Sequence, residues 1–524
     1  MTSSTKNDIS RRTILKAGVI GGALTLTPFW MRSVAAAPAC QTLNAGITGF
    51  STINTLDPAR AALLPESYVL WGVFNSLLKF DENMKIVPDL AESYEAVSPT
   101  ILRFALRHGV KFHDGAEMTA EDVKFSLERV ASEEFGSPHK SNFDAIKEIR
   151  VVDAYTVEVE THEPFAPMLS YLTNTRTGSQ IVPKHVLEKG TPDSFAFSPI
   201  GTGAYKVAGF EPGASVQLEG FDEYFESGKP IISAVNIPLI AEESAGVTAL
   251  LGGSIDLTST APFAAVSQLK QNPNVQVLKS PGVNTRFVCL NTKVAPFDDV
   301  HFRRAVSLAF DQQSMVDVVI FGEGVTANGV IPSSIAWASQ PEKSEILKIN
   351  VEQAKKELAQ SKYGAGTEGV VLTWGSGWWK RFAEVFVLQV NQNLGLNLSV
   401  EVSESGAVYQ RLQAGDFQAS IWGWLGLIDP DEYAFGILHS SGSRNYGGYA
   451  NSEVDALLER ARGEMDQERR GEIYREAEAL TLEDMPVLPC FESNIHNLLG
   501  KNVEGFKQLP YSAFGSQLAA VSSC

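Results

Sequence analysis

The chain has 524 residues, more than one hydrophobic core ordinarily holds, so two or three lobes are expected. Apolar residues make up 44% and charged residues 20%, with no long low-complexity tract, which is a globular composition. A formal charge of −18, from 43 basic and 61 acidic residues, argues against nucleic acid and anionic membrane surfaces as main partners.

The first 39 residues are expected to be removed. Arg11–Arg12 precede Ile14, Leu15 and Lys16, and an apolar run from Ala17 to Met31 leads to small residues ending at Ala39. The run is too short to span a bilayer. The pattern resembles a twin-arginine export signal, with Ile14 where Phe is common. Cleavage after Ala39 leaves Cys40 first. No lipid anchor is expected there, because no Leu stands three residues before it. Export permits disulfides, and Cys40 and Cys524, near the two ends, form a candidate pair. Cys289 and Cys490 lie in apolar runs and read as core.

Strands and helices then alternate irregularly, which favours a mixed α/β fold. Thr119 and Asp122 form a capping box before a helix whose inner face is Val123, Leu127 and Val130. Strands are expected at 156–160, 215–220 and 235–240. Asp298 or Asp299 caps a helix with Phe302, Ala305, Val306, Ala309 and Phe310 inward, stopping by Gly322. A strand at 369–374 follows. The stretch "ASIWGWL" alternates, so as a strand it places Trp422 and Trp424 on one face. Ser452 and Asp455 open a helix carrying Val454, Leu457, Leu458 and Ala461, and a second helix with Ile473, Ala477 and Leu480 ends before Pro486. There is no internal repeat and no flexible linker, so the chain is expected to cross between lobes through ordered strands that can act as hinges.

Enzyme motifs are missing from the sequence: no His-Glu-x-x-His, no Walker A loop and no Gly-x-Ser-x-Gly elbow. "GTGAY" at Gly201–Tyr205 lacks the third glycine of a dinucleotide fingerprint. His108 and His113 would face opposite sides of a strand, and His113 reads as a turn residue. Asp429 and Asp431 could be set as glycosidase carboxylates, but read first as solvated acids of a Pro-flanked turn. A secreted hydrolase is the different-class alternative. No metal and no cofactor is expected.

Four segments carry a family resemblance in order: "LRHGVKFHDGAEMTAEDVKFSLERV" at 106–130, "PIGTGAYKVAGFEPGASVQLEGFDEYFESGKP" at 199–230, "LNTKVAPFDDVHFRRAVSLAFDQQSMV" at 290–316, and the helix pair at 448–489. They resemble the dipeptide/oligopeptide/nickel group of extracytoplasmic solute-binding proteins serving ABC importers, bacterial solute-binding protein family 5. The resemblance spans roughly residues 42–510. It implies a two-lobed periplasmic-binding-protein fold with an extra subdomain in the first lobe (type II, cluster C-like). Lobe I would comprise 40–76, 180–275 and 490–524, the extra subdomain 77–179, and lobe II 276–489. It also implies a periplasmic monomer that captures a small polar solute between its lobes and delivers it to permease subunits.

The site implied by the resemblance draws on three stretches. In lobe II these are Trp422, Gly423, Trp424, Leu425, Gly426 and Leu427, and the cluster Trp374, Trp378, Trp379 and Arg381. In lobe I it is the loop Ile47, Thr48, Gly49 and Phe50. Five of the eight tryptophans fall in the two lobe II clusters, which suits a stacking shelf. Peptide-binding members place an Asp where Leu427 stands; Asp429 is the substitute, and Arg381 and Arg444 are candidates for an acidic ligand group. A peptide is the family default, with an opine or oligosaccharide as alternatives.

Overall fold

The computed structural model describes residues 42–524, apart from 83, 175–177, 191, 376, 427–428 and 512–513. The export signal and Cys40 lie outside the described residues. One sheet of twelve strands organises the described chain. Along its main path the order is Asn397–Ser403, Glu368–Trp374, Ala419–Leu425, Asn284–Leu290, Val487–Gly500, Leu257–Thr258, Thr42–Thr48, Ala234–Ile240, Ser215–Gly220 and Tyr205–Glu211. Val275–Pro281 and Gly324–Thr326 also pair with the 487–500 strand. The expected strands at 156–160, 215–220, 235–240 and 369–374 all form, within a residue or so at their ends.

The 487–500 strand crosses between the two halves of the sheet. Its first residues pair with the 284–290 strand, and its last seven pair with the 275–281 strand. This is the ordered crossing that the lack of a linker required. On one side of it lies a core of Leu43, Ile47, Tyr68, Trp71, Phe74, Tyr205 and Phe514. On the other side the sheet is packed on both faces. One face carries Phe302, Phe310, Phe382 and Phe386, and the opposite face carries Phe287, Tyr433, Leu458 and Tyr474. A separate four-stranded antiparallel sheet, drawn from Ala91–Ser98, Ile101–Leu106, Ile146–Asp153 and Thr156–Thr161, has its own core around Phe104, Phe112 and Leu127.

Local signals explain the elements. The Thr119 capping box is present with Asp122, opening helix Ala120–Ala131. Asp299 caps helix Val300–Leu308 by accepting from Phe302 N. That helix is shorter than its apolar period. Asp311 accepts from Gln313 N and starts a second helix, Gln312–Val319, so Ala309 and Phe310 are buried in the turn between the two. Asn451, not Ser452, caps helix Ser452–Gly463. "GTGAY" has a packing role. A Cβ on Gly201 would lie 2.1 Å from Val73 O, and one on Gly203 2.4 Å from Val73 C, so only glycine fits against that helix end. His113 is knitted into the same contact. Its ring meets Gly203 O at 3.0 Å and accepts from Gly201 N at 3.1 Å, and burial lowers its pKa to about 4. Asn291 organises a strand end by donating to Gly415 O and Phe417 O. Cys289 and Cys490 are buried free thiols, and Cys524 is disulfide-bonded.

Glu478 is enclosed where helix Gln467–Asp484 meets the 329–331 turn, and its Oε1 accepts from Val330 N and Ile331 N. Burial raises its pKa to about 8 against the opposing backbone donors. Between the ordinary value of 4.5 and about 8, the unfolded chain releases this proton and the native chain keeps it. Stability therefore falls as pH rises through that window. Glu478→Gln should flatten this slope. Denaturant midpoints at pH 5 and pH 8 should draw apart more in the wild type than in the variant, and equal separations would refute the assignment.

Candidate functional site

The alternation in "ASIWGWL" does form a strand, and Trp422 and Trp424 do share a face. Both rings are half-buried against the Phe287–Tyr433 core. Trp422 lies parallel to Tyr409 at 6.1 Å, and meets Tyr446 edge-on at 5.9 Å and Trp374 at 5.0 Å. Its Nε1 is sealed from solvent and has no hydrogen-bond partner among the described residues. Trp424 donates from Nε1 to Glu432 at 3.1 Å, and the Arg444 guanidinium sits 3.8 Å from its ring centroid.

The second tryptophan cluster joins the first. Trp374 ends the 368–374 strand, and Trp378 and Trp379 begin helix Gly377–Leu394. Trp374 and Trp379 are 4.1 Å apart by centroid, and Trp379 stacks on Trp378 at 4.0 Å. A continuous aromatic wall therefore runs Trp378–Trp379–Trp374–Trp422–Tyr409 around the end of the sheet. Tyr409 and Tyr446 belong to this wall and were not read from sequence, because they come from distant segments. Phe263, on helix Phe263–Leu269, faces Trp378 edge-on at 6.1 Å.

Arg381 stacks over Phe321 at 5.2 Å, away from the wall. Gly423 pairs with Arg286 across the strands, and Leu425 with Asn284. Gly426 donates its N–H to Tyr433 Oη at 2.9 Å, and that hydroxyl donates to Val283 O. Leu427 lies outside the described residues. In the first-half loop, Ile47 is fully buried in the core, so its side chain is not available to a ligand. Thr48 is buried too, held by Ser259 and Thr260, because the strand is paired on both edges. Gly49, at φ 82°, and Phe50, edge-on to Tyr68 at 6.3 Å, are the members with exposed surface.

Asp429 and Asp431 are not solvated acids. Both are buried, and each is held by an arginine. Arg470 grips Asp429 with two bonds of 2.8 and 2.6 Å, and Arg462 grips Asp431 with bonds of 2.8 and 2.9 Å. Ser170 donates to Asp429 at 3.4 Å and Tyr171 to Asp431 at 3.0 Å, and Ala166 N donates to Arg462 O. Asp429 therefore joins distant chain segments, and its oxygens are engaged. A second junction forms at Glu323, which takes Lys270 at 2.9 Å, Lys279 at 3.1 Å and His496 at 2.9 Å. Burial would raise the pKa of Glu323, but these three donors pull it down to about 2.

Sequence reasoning also missed Arg286. Its side chain projects from the middle of the 284–290 strand towards Trp378 and Trp379, whose ring centroids lie 5.5 and 5.4 Å from Cζ. A lone arginine in "NTRFVCLN" gives no local sign of this; its neighbours come from 92 or more positions further on.

Elsewhere, a cavity of about 450 Å³ is lined by Trp71, Lys79, Asp89, Tyr224, Glu226 and Tyr511, among others. Its charges are matched internally: Lys79 pairs with Asp89 at 3.2 Å and with Glu226 at 2.5 Å. Among the described residues no group of three or more His, Cys, Asp or Glu could hold a metal ion, and no helix is long and apolar enough to cross a membrane.

Comparison with known proteins agrees with this architecture. A family model described as bacterial extracellular solute-binding proteins, family 5 (middle), matches residues 85–445. Heme-binding protein A of Haemophilus influenzae is 28% identical over 473 residues, covering 84% of this chain and 86% of its own. The glutathione-binding protein GsiB of Salmonella typhimurium is 26% identical over 498 residues, covering 92% and 95%. The binding protein AgaA of A. tumefaciens R10, solved in complex with agropinic acid, superposes with a TM-score of 0.80 at 26% identity, over 92% of this chain and 98% of its own.

Breaking one partner of a buried ion pair leaves the other charge stranded, at a cost of about 3–5 kcal/mol. Asp429→Ala should therefore lower ligand-free stability by that order in denaturant unfolding. A variant as stable as the wild type would return Asp429 to the list of groups free for a ligand.

Proposed function

The chain belongs to the bacterial extracellular solute-binding proteins of family 5, the substrate-binding components of ABC importers, and on that premise we propose that it captures a small polar, peptide-like solute against its tryptophan wall. The lobes are those expected above: 40–76, 180–275 and 490–524 for the first, with 77–179 as its subdomain, and 276–489 for the second. The solute lies between them, with Trp374, Trp378, Trp379 and Trp422 as the shelf and the Gly49–Phe50 loop opposite. The observation that carries this reading is the joining of two sequence-distant tryptophan clusters into one wall, next to a helix of the other lobe through Phe263. The protein acts in the periplasm after export by its twin-arginine signal, as a monomer that passes its solute unchanged to permease subunits.

One observation favours an opine over a peptide. A peptide's ammonium needs a free carboxylate, and Asp429, the nearest substitute for the family's acid, is held by Arg470. A relative that binds agropinic acid supports the same alternative. An oligosaccharide would use the shelf through its apolar ring faces.

Two measurements test the proposal. In a thermal-shift screen of peptides, glutathione, opines and saccharides, a true ligand at about one hundred times its Kd adds about 2.7 kcal/mol of stability. The same ligand should shrink the radius of gyration in solution scattering; unchanged compactness would refute capture by closure. Trp422→Ala should then weaken binding about tenfold, or about 1.4 kcal/mol, in calorimetry. Wild-type affinity in that variant would remove Trp422 from the shelf.

A further inference from the structure

Several enclosed arginines among the described residues are matched, and half-buried Arg286 is not. Arg129 pairs with Asp57, Arg462 with Asp431 and Arg470 with Asp429, and Arg303 donates to the carbonyls of Phe297 and Asp484. Arg286 has no hydrogen bond and no ion pair among the described residues, and its Nε is sealed from solvent. Burial lowers its pKa to about 10, so it is still a cation at neutral pH. An unmatched charge in such a place is costly. The neighbouring positions on the same strand face, Asn284 and Val288, are uncharged and supply no counter-charge.

The surroundings leave room for the guanidinium. Gly423 stands opposite, and a Cβ there would come within 2.5 Å of Arg286 Cδ and 2.8 Å of Nη1. Strand pairing with 487–491 shifts register between Arg286 and Phe287, the kind of irregularity that re-aims a side chain beside a site. The guanidinium comes within 5.5 Å of both the Trp378 and Trp379 rings, at the first turn of an 18-residue helix. The helix's positive end adds to the same potential.

We infer that Arg286 is the electrostatic anchor of the solute site and that the solute carries a carboxylate, received by this guanidinium beside Trp378 and Trp379. The inference rests on the solute-binding reading above and narrows its ligand class to acids. A carboxylate matches the guanidinium in charge and in its planar, two-pronged geometry. A phosphate carries nearly two negative charges, of which one guanidinium balances only about half. The aromatic wall then holds the rest of the molecule, and Gly423 is the residue that keeps space for the anchor.

The test uses the mature chain and four forms of it: wild type, Arg286→Met, Arg286→Lys and Gly423→Val. Glutathione, agropinic acid and the dipeptide Met-Leu serve as probes, each beside derivatives with its carboxylates amidated in turn. A probe that binds the wild type should lose at least tenfold in affinity when one particular carboxylate is amidated. It should lose as much in Arg286→Met and in Gly423→Val, with part of the loss restored in Arg286→Lys. Ligand-free Arg286→Met should unfold at or above the wild-type temperature, since no partner is lost. Affinity indifferent to Arg286→Met or to every amidation would overturn the inference. So would a ligand-free Arg286→Met that melts several degrees lower, which would make Arg286 a packing residue. If the wild type binds none of the probes, that result weighs against the solute-binding reading, and the ligand-free comparison decides the role of Arg286.

Discussion

The arrangement depends on one strand. Val487–Gly500 is hydrogen-bonded at its start to Asn284–Leu290 and at its end to Val275–Pro281, with Gly324–Thr326 paired in between. A ladder cannot slip by one residue without turning every side chain to the other face. The two halves of the sheet are therefore fixed in register to each other through its middle, at Phe491, Glu492 and Ser493. Phe491 is opposite Arg286 in the pairing and lies 6.1 Å from Trp378 and 5.1 Å from Phe382. The floor of the proposed site is thus built on the most constrained part of the chain. Change of shape must come from twisting this strand and its neighbours, not from a free linker.

Charge is distributed on the same plan. Two of the acids near the wall, Asp429 and Asp431, are neutralised by arginines of helix Gln467–Asp484 and helix Ser452–Gly463, and so brace the structure. Bonds from Ser170 and Tyr171 bring the 77–179 segment onto that brace. The carboxylate of Glu323 gathers three cationic or donor side chains in the same way. Among the described residues, the buried polar atoms near the wall that lack a hydrogen-bond partner include Arg286 Nε and Trp422 Nε1, on opposite faces of the sheet. Both are donors. A solute received at Arg286 would be recognised by what it accepts, which is a different demand from the ammonium recognition expected of a peptide-binding site.

Much of the fold was legible because its signals are local. Capping at Thr119 and Asp299, the alternation around Trp422 and Trp424, and the apolar periods of the C-terminal helices each lie within one turn or one strand. What was not legible depends on partners far away in sequence. Asp429 looks like a solvated turn acid until Arg470, 41 positions on, is folded against it. Ile47 and Thr48 look like a ligand loop until strands on both edges bury them. The break at Phe310 was hidden because the helix pattern of buried residues continues through the turn, and only Asp311 as a new cap reveals it. Arg286 has no local signature at all; it becomes unusual only when Gly423, Trp378 and Trp379 are folded around it.

The contacts between segments bear on how closure would work. Tyr171 with Asp431, and Lys270 with Glu323, join the two expected lobes directly. A ligand moves such an equilibrium only by its difference in affinity for the two states. On the proposed two-lobed closure, direct contacts that favour the closed arrangement would reduce the difference a ligand must supply. The Lys270–Glu323 pair is partly exposed on the lysine side, so its net contribution is about 0–1 kcal/mol. Against this, on the proposal for Arg286, an unmatched guanidinium would oppose closure around an empty site, because closing removes water from a charge with no partner. The two effects act in opposite directions on the empty protein, and a carboxylate relieves the second while leaving the first in place. An open empty state and a closed filled one can then be kept apart by a single charge.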